Sequence, residues 1–221
     1  MTAVVAIDGP SGAGKGTVAR AVAESLHWRY VDTGAMYRAV AWKAQHEGRS
    51  LDDEAAVAAV ADRAELELRD GRVAIDGHDV TDAIRTPAID AAATRVARMP
   101  RVRELLVARQ RDYAQGGPLV MEGRDIGTVV FPDAAAKIYL DATPEERAAR
   151  RARDPAHHPS PAAEVGTVAQ ALEQRDRLDR ERRVSPLKQA PDAEVVDTTG
   201  VPIDTVVSRV LDIVRARLPG A

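Results

Sequence analysis

One run of nine residues, Gly9-Pro-Ser-Gly-Ala-Gly-Lys-Gly-Thr17, carries the densest chemical signal in the chain. Its glycines let the backbone curl until successive N–H groups face a single anion, and Lys15 adds an ammonium beside them. The pattern predicts a polyphosphate cradle made of Gly9, Pro10, Ser11, Gly12, Ala13, Gly14, Lys15, Gly16 and Thr17. The helix that follows contributes the partial positive charge of its N-terminus. One position departs from the general pattern: Gly16 follows the lysine, and the hydroxyl comes a residue later at Thr17. That displacement argues against direct magnesium ligation by this hydroxyl but leaves it within reach of a phosphate.

Three other charged groupings stand out. Arg124 and Asp125 are neighbours of opposite sign within Glu122-Gly-Arg-Asp-Ile-Gly-Thr-Val-Val-Phe-Pro-Asp133. They either pair with each other or address different parts of one substrate. Arg147, Arg150, Arg151 and Arg153 precede the proline-rich Asp154-Pro-Ala-His-His-Pro-Ser-Pro161. Such a group is either a solvated helix face partnered by Glu145 and Glu146 or a lid that closes over phosphates and excludes water. His157 and His158 read as exposed loop residues, because no further ligand lies at metal-binding spacing. In Arg175-Asp-Arg-Leu-Asp-Arg-Glu-Arg-Arg183, eight of nine residues are charged. A run of that kind is ordinarily solvent-facing, but Arg175, Asp179 and Arg182 fall at i, i+4 and i+7 and so share one stripe of a helix.

Positioning these groups requires a scaffold, and the apolar pattern supplies one. Val4–Asp8, Tyr30–Val31, Leu119–Met121, Lys137–Asp141 and Glu194–Asp197 read as short strands. Helical spacing covers Val18–Leu26, Gly34–Glu47, Arg101–Gln115, Pro144–Arg153, Val165–Arg183 and Ile203–Leu218. Short strands alternating with helices predict a three-layer α/β fold around a five-stranded parallel sheet. Residues 64–84 break the rhythm: apolar and polar residues alternate, and Asp70-Gly71 and Asp76-Gly77 supply turns, so a small antiparallel meander is expected.

Composition sets the outer bounds. The chain has 221 residues, 45% of them hydrophobic and 29% charged, which suits one compact unit. A net charge of −3 gives no global attraction to nucleic acid or an anionic membrane. The absence of cysteine excludes disulfides, thiolate metal sites and cysteine nucleophiles. No apolar run is long enough to span a bilayer, and the N-terminus lacks a leader pattern, so a cytoplasmic protein is expected. Four of the 31 basic residues are lysine, a bias that base composition or heat adaptation accounts for in bulk. No internal repeat is present.

The phosphate-loop ending Gly-Lys-Gly-Thr, together with Asp32-Thr-Gly-Ala-Met-Tyr-Arg38, Pro100-Arg-Val-Arg103, the Glu122–Asp133 block and Arg175–Leu187, resembles the bacterial cytidylate kinases over essentially the whole chain. The resemblance implies a P-loop fold with an NMP-binding subdomain and a short lid. The implied division is 1–32 core with the phosphate loop, 33–99 NMP-binding subdomain containing insert 64–84, 100–146 core, 147–161 lid and 162–221 core. It implies transfer of phosphate from ATP to CMP or dCMP, with Mg2+ held mainly by the ATP phosphates and water rather than by the protein. Lys15, Arg124 and Arg182 become the catalytic residues. Arg38 and Arg124 take the acceptor phosphate, with Tyr37 and Thr33 nearby. Arg103, Thr94 and Asp125 face the base, Arg175 and Asp179 the sugar hydroxyls, and Arg182 a phosphate. Relatives commonly carry serine at the position of Thr94, which keeps the hydroxyl. Asp176, Arg177, Arg180, Glu181 and Arg183 are left as surface charge. A monomer that binds small nucleotides, without nucleic acid or membrane partners, is the expectation.

Two rivals remain. One is a kinase of the same fold with a UMP, AMP or non-nucleotide acceptor. The other is a nucleotide-binding regulator without catalysis. A guanine-reading switch is excluded, since the chain contains no asparagine for an Asn-Lys-x-Asp motif.

Overall fold

Continuous apolar runs form strands buried on both faces, and Val4–Asp8 (β1) is fully buried at the centre of such a sheet. It pairs in parallel with Leu119–Gly123 (β6) on one side and Ala136–Asp141 (β7) on the other. Arg29–Asp32 (β2) flanks β6 and Glu194–Asp197 (β8) flanks β7, giving the order β2-β6-β1-β7-β8 with every pairing parallel. The computed structural model describes residues 2–69, 71–154 and 165–219. Residues 155–161 of the expected lid, with His157 and His158, lie outside them.

Helices cover both faces of the sheet. Lys15–Leu26 (α1) and Ile203–Arg217 (α8) pack Val18, Val22, Val206 and Val210 against Val5 and Ile7. On the opposite face Val107 of Pro100–Tyr113 (α5) packs with Ala6, Val31 and Met121. A second core joins Thr33–His46 (α2), Glu54–Arg63 (α3), Pro87–Val96 (α4) and α5 through Met36, Val57, Val96 and Leu106. The alternating stretch forms the separate antiparallel sheet Leu66–Arg69 (β3), Arg72–Ile75 (β4) and His78–Asp79 (β5). Its Val73 and Ile75 pack against Ala35 and Ala39 of α2. Among the described residues no helix is long and apolar enough to cross a membrane.

Three features differ from the sequence reading. Helices α3 and α4 were not among the helical patterns, because their inward faces are mostly alanine and give little contrast. Their start signals were present: Asp53 caps α3, and Thr86 caps α4 ahead of Pro87. A π-helical turn, Ile126–Val130, follows β6. Finally, Val165–Arg180 (α7) ends three residues before Arg183. Ser185 takes a φ of 52°, and the chain folds back so that the Leu187 N–H reaches the Asp179 carbonyl at 2.8 Å. Arg182 therefore lies in the turn beyond the helix rather than on its stripe.

Candidate active site

The loops after β1, β2 and β6 meet at the carboxyl end of the sheet, where open α/β sheets bind ligands. Between them and α4 and α7 lies a cleft of about 840 Å³. Eleven basic and six acidic residues line it, in a chain whose net charge is −3. Such a cleft concentrates anions locally without any global positive charge.

The phosphate loop depends on glycine at two crowded points. Gly9 has a φ of 147°, and a Cβ there would lie 2.0 Å from the Leu140 carbonyl oxygen of β7. Gly12, at φ 78°, would place its Cβ 2.9 Å from the carbonyl oxygen of Arg147. Ser11, Gly12, Gly14, Lys15, Gly16 and Thr17 line the cleft, whereas Gly9, Pro10 and Ala13 form the rear of the loop. Lys15 Nζ donates to the Pro10 carbonyl at 2.7 Å. Burial, and next the charge of Arg124, push the Lys15 amine down to about 7. A polyphosphate would supply the counter-charge that this ammonium lacks.

Opposite the loop, arginines are each held by acceptors. Arg124 donates from Nε to Asp179 at 3.1 Å, from Nη1 to its neighbour's carbonyl at Gly123 at 3.3 Å, and from Nη2 to Ser11 Oγ at 2.7 Å. Burial alone would raise the Asp179 carboxyl, but Arg124, Arg182 and Arg175 outweigh it and hold the group below its ordinary value. Arg182 donates from Nε to the Asp179 carbonyl at 3.2 Å. Arg103 and Asp125 form a buried ion pair, and the Tyr37 ring centroid lies 5.4 Å from the Arg103 guanidinium carbon. Arg38 bonds Asp32 at 2.8 Å, while the same aspartate caps α2 through Ala35. Thr33 donates its hydroxyl to the Glu122 carbonyl at 2.7 Å, and Thr94 donates to the Asp90 carbonyl at 2.9 Å. Arg175 approaches the Asp90 carboxylate at 3.3 Å. Thr33, Tyr37, Arg38, Thr94, Arg103, Arg124, Asp125, Arg175, Asp179 and Arg182 thus all line one cleft. Several of their donors remain unused: Arg38 Nε, Arg103 Nε, Arg182 Nη2 and the Tyr37 hydroxyl are buried without a partner. Buried donors of that kind await acceptors.

The four candidate lid arginines divide. Arg150, Arg151 and Arg153 line the cleft. Arg150 pairs with Glu146 at 2.9 Å and also donates to Thr198, and Arg151 pairs with Asp90 of α4. Arg147 does not reach the cleft. It is buried behind the phosphate loop, where it donates to the Ser11 carbonyl at 2.9 Å and to Asp176.

Asp176 is the main correction to the surface-charge reading. It is 0% exposed and accepts the Ser11 N–H at 2.9 Å, so it pins the phosphate loop from beneath. The other four residues left as surface charge, Arg177, Arg180, Glu181 and Arg183, are exposed. Asp8 was also missed. Its two carboxylate oxygens accept the N–H groups of Ile126 and Gly127 at 2.8 Å each, fixing the turn that carries Arg124 and Asp125. Burial pushes its carboxyl up to about 6 despite those bonds. Arg20, Arg85 and Glu122 line the cleft as well. Glu122 accepts from the Tyr30 hydroxyl at 2.5 Å, and its carboxyl is raised by burial and by nearby Asp32. The position of Glu122 just ahead of Gly-Arg-Asp was the available signal; Arg20 and Arg85 gave none.

Comparison with known proteins agrees with this arrangement. The family model for cytidylate kinase matches residues 5–216. A cytidylate kinase of Geobacillus kaustophilus is 45% identical over 218 residues, covering 97% of each chain. A bifunctional pantoate ligase/cytidylate kinase of Prochlorococcus marinus is 45% identical over 98% of this chain, which spans 45% of that longer relative. Among solved structures, a gluconokinase from Sinorhizobium meliloti superposes with a TM-score of 0.52 at 15% identity, over 98% of this chain and 93% of its own, a likeness of fold. With a five-stranded parallel sheet, a phosphate loop at its carboxyl end and this extent of matching sequence, the chain belongs to the cytidylate kinase family.

Proposed function

We propose that the protein transfers the terminal phosphoryl group of ATP to CMP or dCMP, giving ADP and CDP or dCDP. The observation that carries this reading is the buried Arg103–Asp125 pair, set beside unpartnered arginine donors and opposite a phosphate loop. Cytosine offers a 4-amino donor next to N3 and O2 acceptors. The Asp125 carboxylate accepts from the amine, and Arg103, with Thr94, serves the acceptors. Uracil would set its O4 acceptor against that carboxylate. Arg38 and Arg124 hold the acceptor phosphate, with Tyr37 and Thr33 shaping its seat. Arg175 and Asp179 serve the sugar hydroxyls.

An oxygen of the acceptor phosphate attacks the γ-phosphorus of ATP, and the bond from that phosphorus to the β,γ-bridging oxygen breaks. The attacking group is already an anion, so no protein base is required. The work of the protein is alignment and charge stabilisation. The main-chain N–H groups of residues 9–17 hold the donor phosphates, and Lys15, Arg124 and Arg182 surround the transferring group. Arg150, Arg151 and Arg153 belong to a lid over residues 147–161. That lid, an NMP-binding subdomain over 33–99 with insert 64–84, and a core of 1–32, 100–146 and 162–221 make up the working division.

Magnesium accompanies the nucleotide and neutralises phosphate charge. The oxygen donors facing the cleft suit it: the Asp32 and Glu122 carboxylates, with the Glu122 carboxyl raised by its neighbour, and the Thr17 hydroxyl. Among the described residues no cluster of three or more ligating side chains would hold a metal alone, in keeping with an ion carried largely by phosphates and water. Every contact in this reading comes from one polypeptide, as for a monomer acting on free nucleotides in the cytoplasm.

The test is a coupled ADP-release assay across CMP, dCMP, UMP and AMP. CMP and dCMP are expected to be used best; a preference for AMP or UMP overturns the assignment.

A further inference from the structure

Ser11 has a part in this cleft that the glycine pattern around it does not suggest. It is 4% exposed and all three of its polar groups are engaged by three different elements. Its N–H donates to Asp176 of α7 at 2.9 Å. Its carbonyl accepts from Arg147 of Pro144–Arg153 (α6) at 2.9 Å. Its Oγ accepts from Arg124 Nη2 at 2.7 Å. Arg147 and Asp176 also pair with each other, so the Ser11 backbone is clamped on both sides by a buried ion pair. A hydroxyl on a backbone held in this way is a fixed reference point for whatever it bonds.

What it bonds is the arginine assigned to the acceptor phosphate. A guanidinium has five N–H groups in a rigid fork. In Arg124 the three nitrogens each spend one N–H on the protein, at Asp179, Gly123 and Ser11. That leaves one N–H on each Nη nitrogen for ligand. The Asp179 contact fixes the base of the fork, but only the Ser11 contact joins the fork to the donor loop. We infer that Ser11 is a positioning residue: through its Oγ it sets Arg124 relative to the phosphate loop, and so fixes the spacing between the acceptor phosphate and the donor phosphates. Small displacements between reacting groups are costly in a reaction that depends on alignment.

The inference rests on the acceptor-phosphate role proposed for Arg124, and its test separates the two. Four enzymes are compared with ATP and CMP: the parent, Ser11→Ala, Arg124→Met and the double variant. Ser11→Ala keeps both main-chain bonds, so its melting temperature is expected to stay close to the parent's. Its KM for CMP is expected to rise about tenfold, the scale of one lost hydrogen bond to a charged group, with kcat lowered as well. Its KM for ATP should stay within about twofold, since the loop backbone is still clamped. In the Arg124→Met background the same substitution should add less than about twofold, because coupled residues are non-additive. Ser11→Ala with an unchanged KM for CMP, or with an equal effect in both backgrounds, or with ATP and CMP affected alike, overturns the positioning role alone. Arg124→Met that spares CMP use overturns the acceptor-site reading and this inference with it.

Discussion

The phosphate loop presents main-chain N–H groups along a path set by glycines and buried neighbours, whereas the arginine cluster facing it presents long side chains held by carboxylates. The first arrangement is compact in sequence, nine consecutive residues from Gly9 to Thr17. The second is assembled from far apart: Arg103 meets Asp125 across 22 positions and Arg124 meets Asp179 across 55. A backbone site has little conformational freedom to lose. A cluster of arginines does, and without its aspartates it would be both self-repelling and mobile. The carboxylates therefore act as internal counter-ions that hold cations ready for an anionic ligand.

If that contrast is right, the acceptor side should fail through charge and the donor side through geometry. The largest effect is expected from Asp179→Ala, which strips the partner from Arg124 Nε and leaves Arg182 less restrained. Removing one partner of a buried pair costs about 3–5 kcal/mol, so kcat/KM for CMP should fall by roughly a hundredfold or more. Glu181→Ala, on the exposed side of the same segment, should change it hardly at all. Comparable losses in the two variants would remove the distinction between the faces.

A smaller and opposite effect is expected from Gly14→Ala. Gly14 caps α1 at φ 86°, and an added Cβ meets only the tip of Arg150 at 3.6 Å. The strain is thus conformational, about 1–2 kcal/mol. Binding of a fluorescent ATP analogue should weaken about tenfold while CMP affinity measured by calorimetry stays put; loss of CMP affinity alone would reverse the assignment of the two sides.

The mildest change is brought about by pH. Lys15 sits at about 7 in the ligand-free protein, below its ordinary 10.5, so the neutral amine gains population as pH rises past that value. Phosphate favours the charged form, and binding above neutrality must take up a proton. ATP affinity should therefore fall between pH 7.5 and 9, by at most about tenfold per unit. Lys15→Arg, weaker overall, should be flat over the same range; an equally flat parent would show that Lys15 stays charged.

The same contrast explains what could be read from the amino acids alone. Strands such as Val4–Asp8 and Glu194–Asp197, the meander and the glycine loop are local patterns, and each was legible. The cleft residues were reached through family resemblance; periodicity by itself left Arg38 and Arg103 ordinary. Asp176 was misread because its partners, Ser11 and Arg147, lie 165 and 29 positions away, and a charge run does not reveal which member is turned inward. Arg147 was misread for the complementary reason: its neighbours Arg150, Arg151 and Arg153 do face the cleft. The early end of α7 was written only in Ser185-Pro186, a turn signal set among charges that favour continuing the helix.

The surplus of basic residues around the cleft bears on the direction of reaction. Moving a phosphoryl group from ATP to CMP shifts negative charge from one arm of the cleft to the other and leaves the total unchanged. Positive charge spread from Lys15 on one side to Arg38, Arg124 and Arg182 on the other therefore attracts substrates and products alike. Such a field lowers the barrier without favouring either side, so the enzyme runs as a reversible exchanger. Net flux through it is then governed by the concentrations of the four nucleotides.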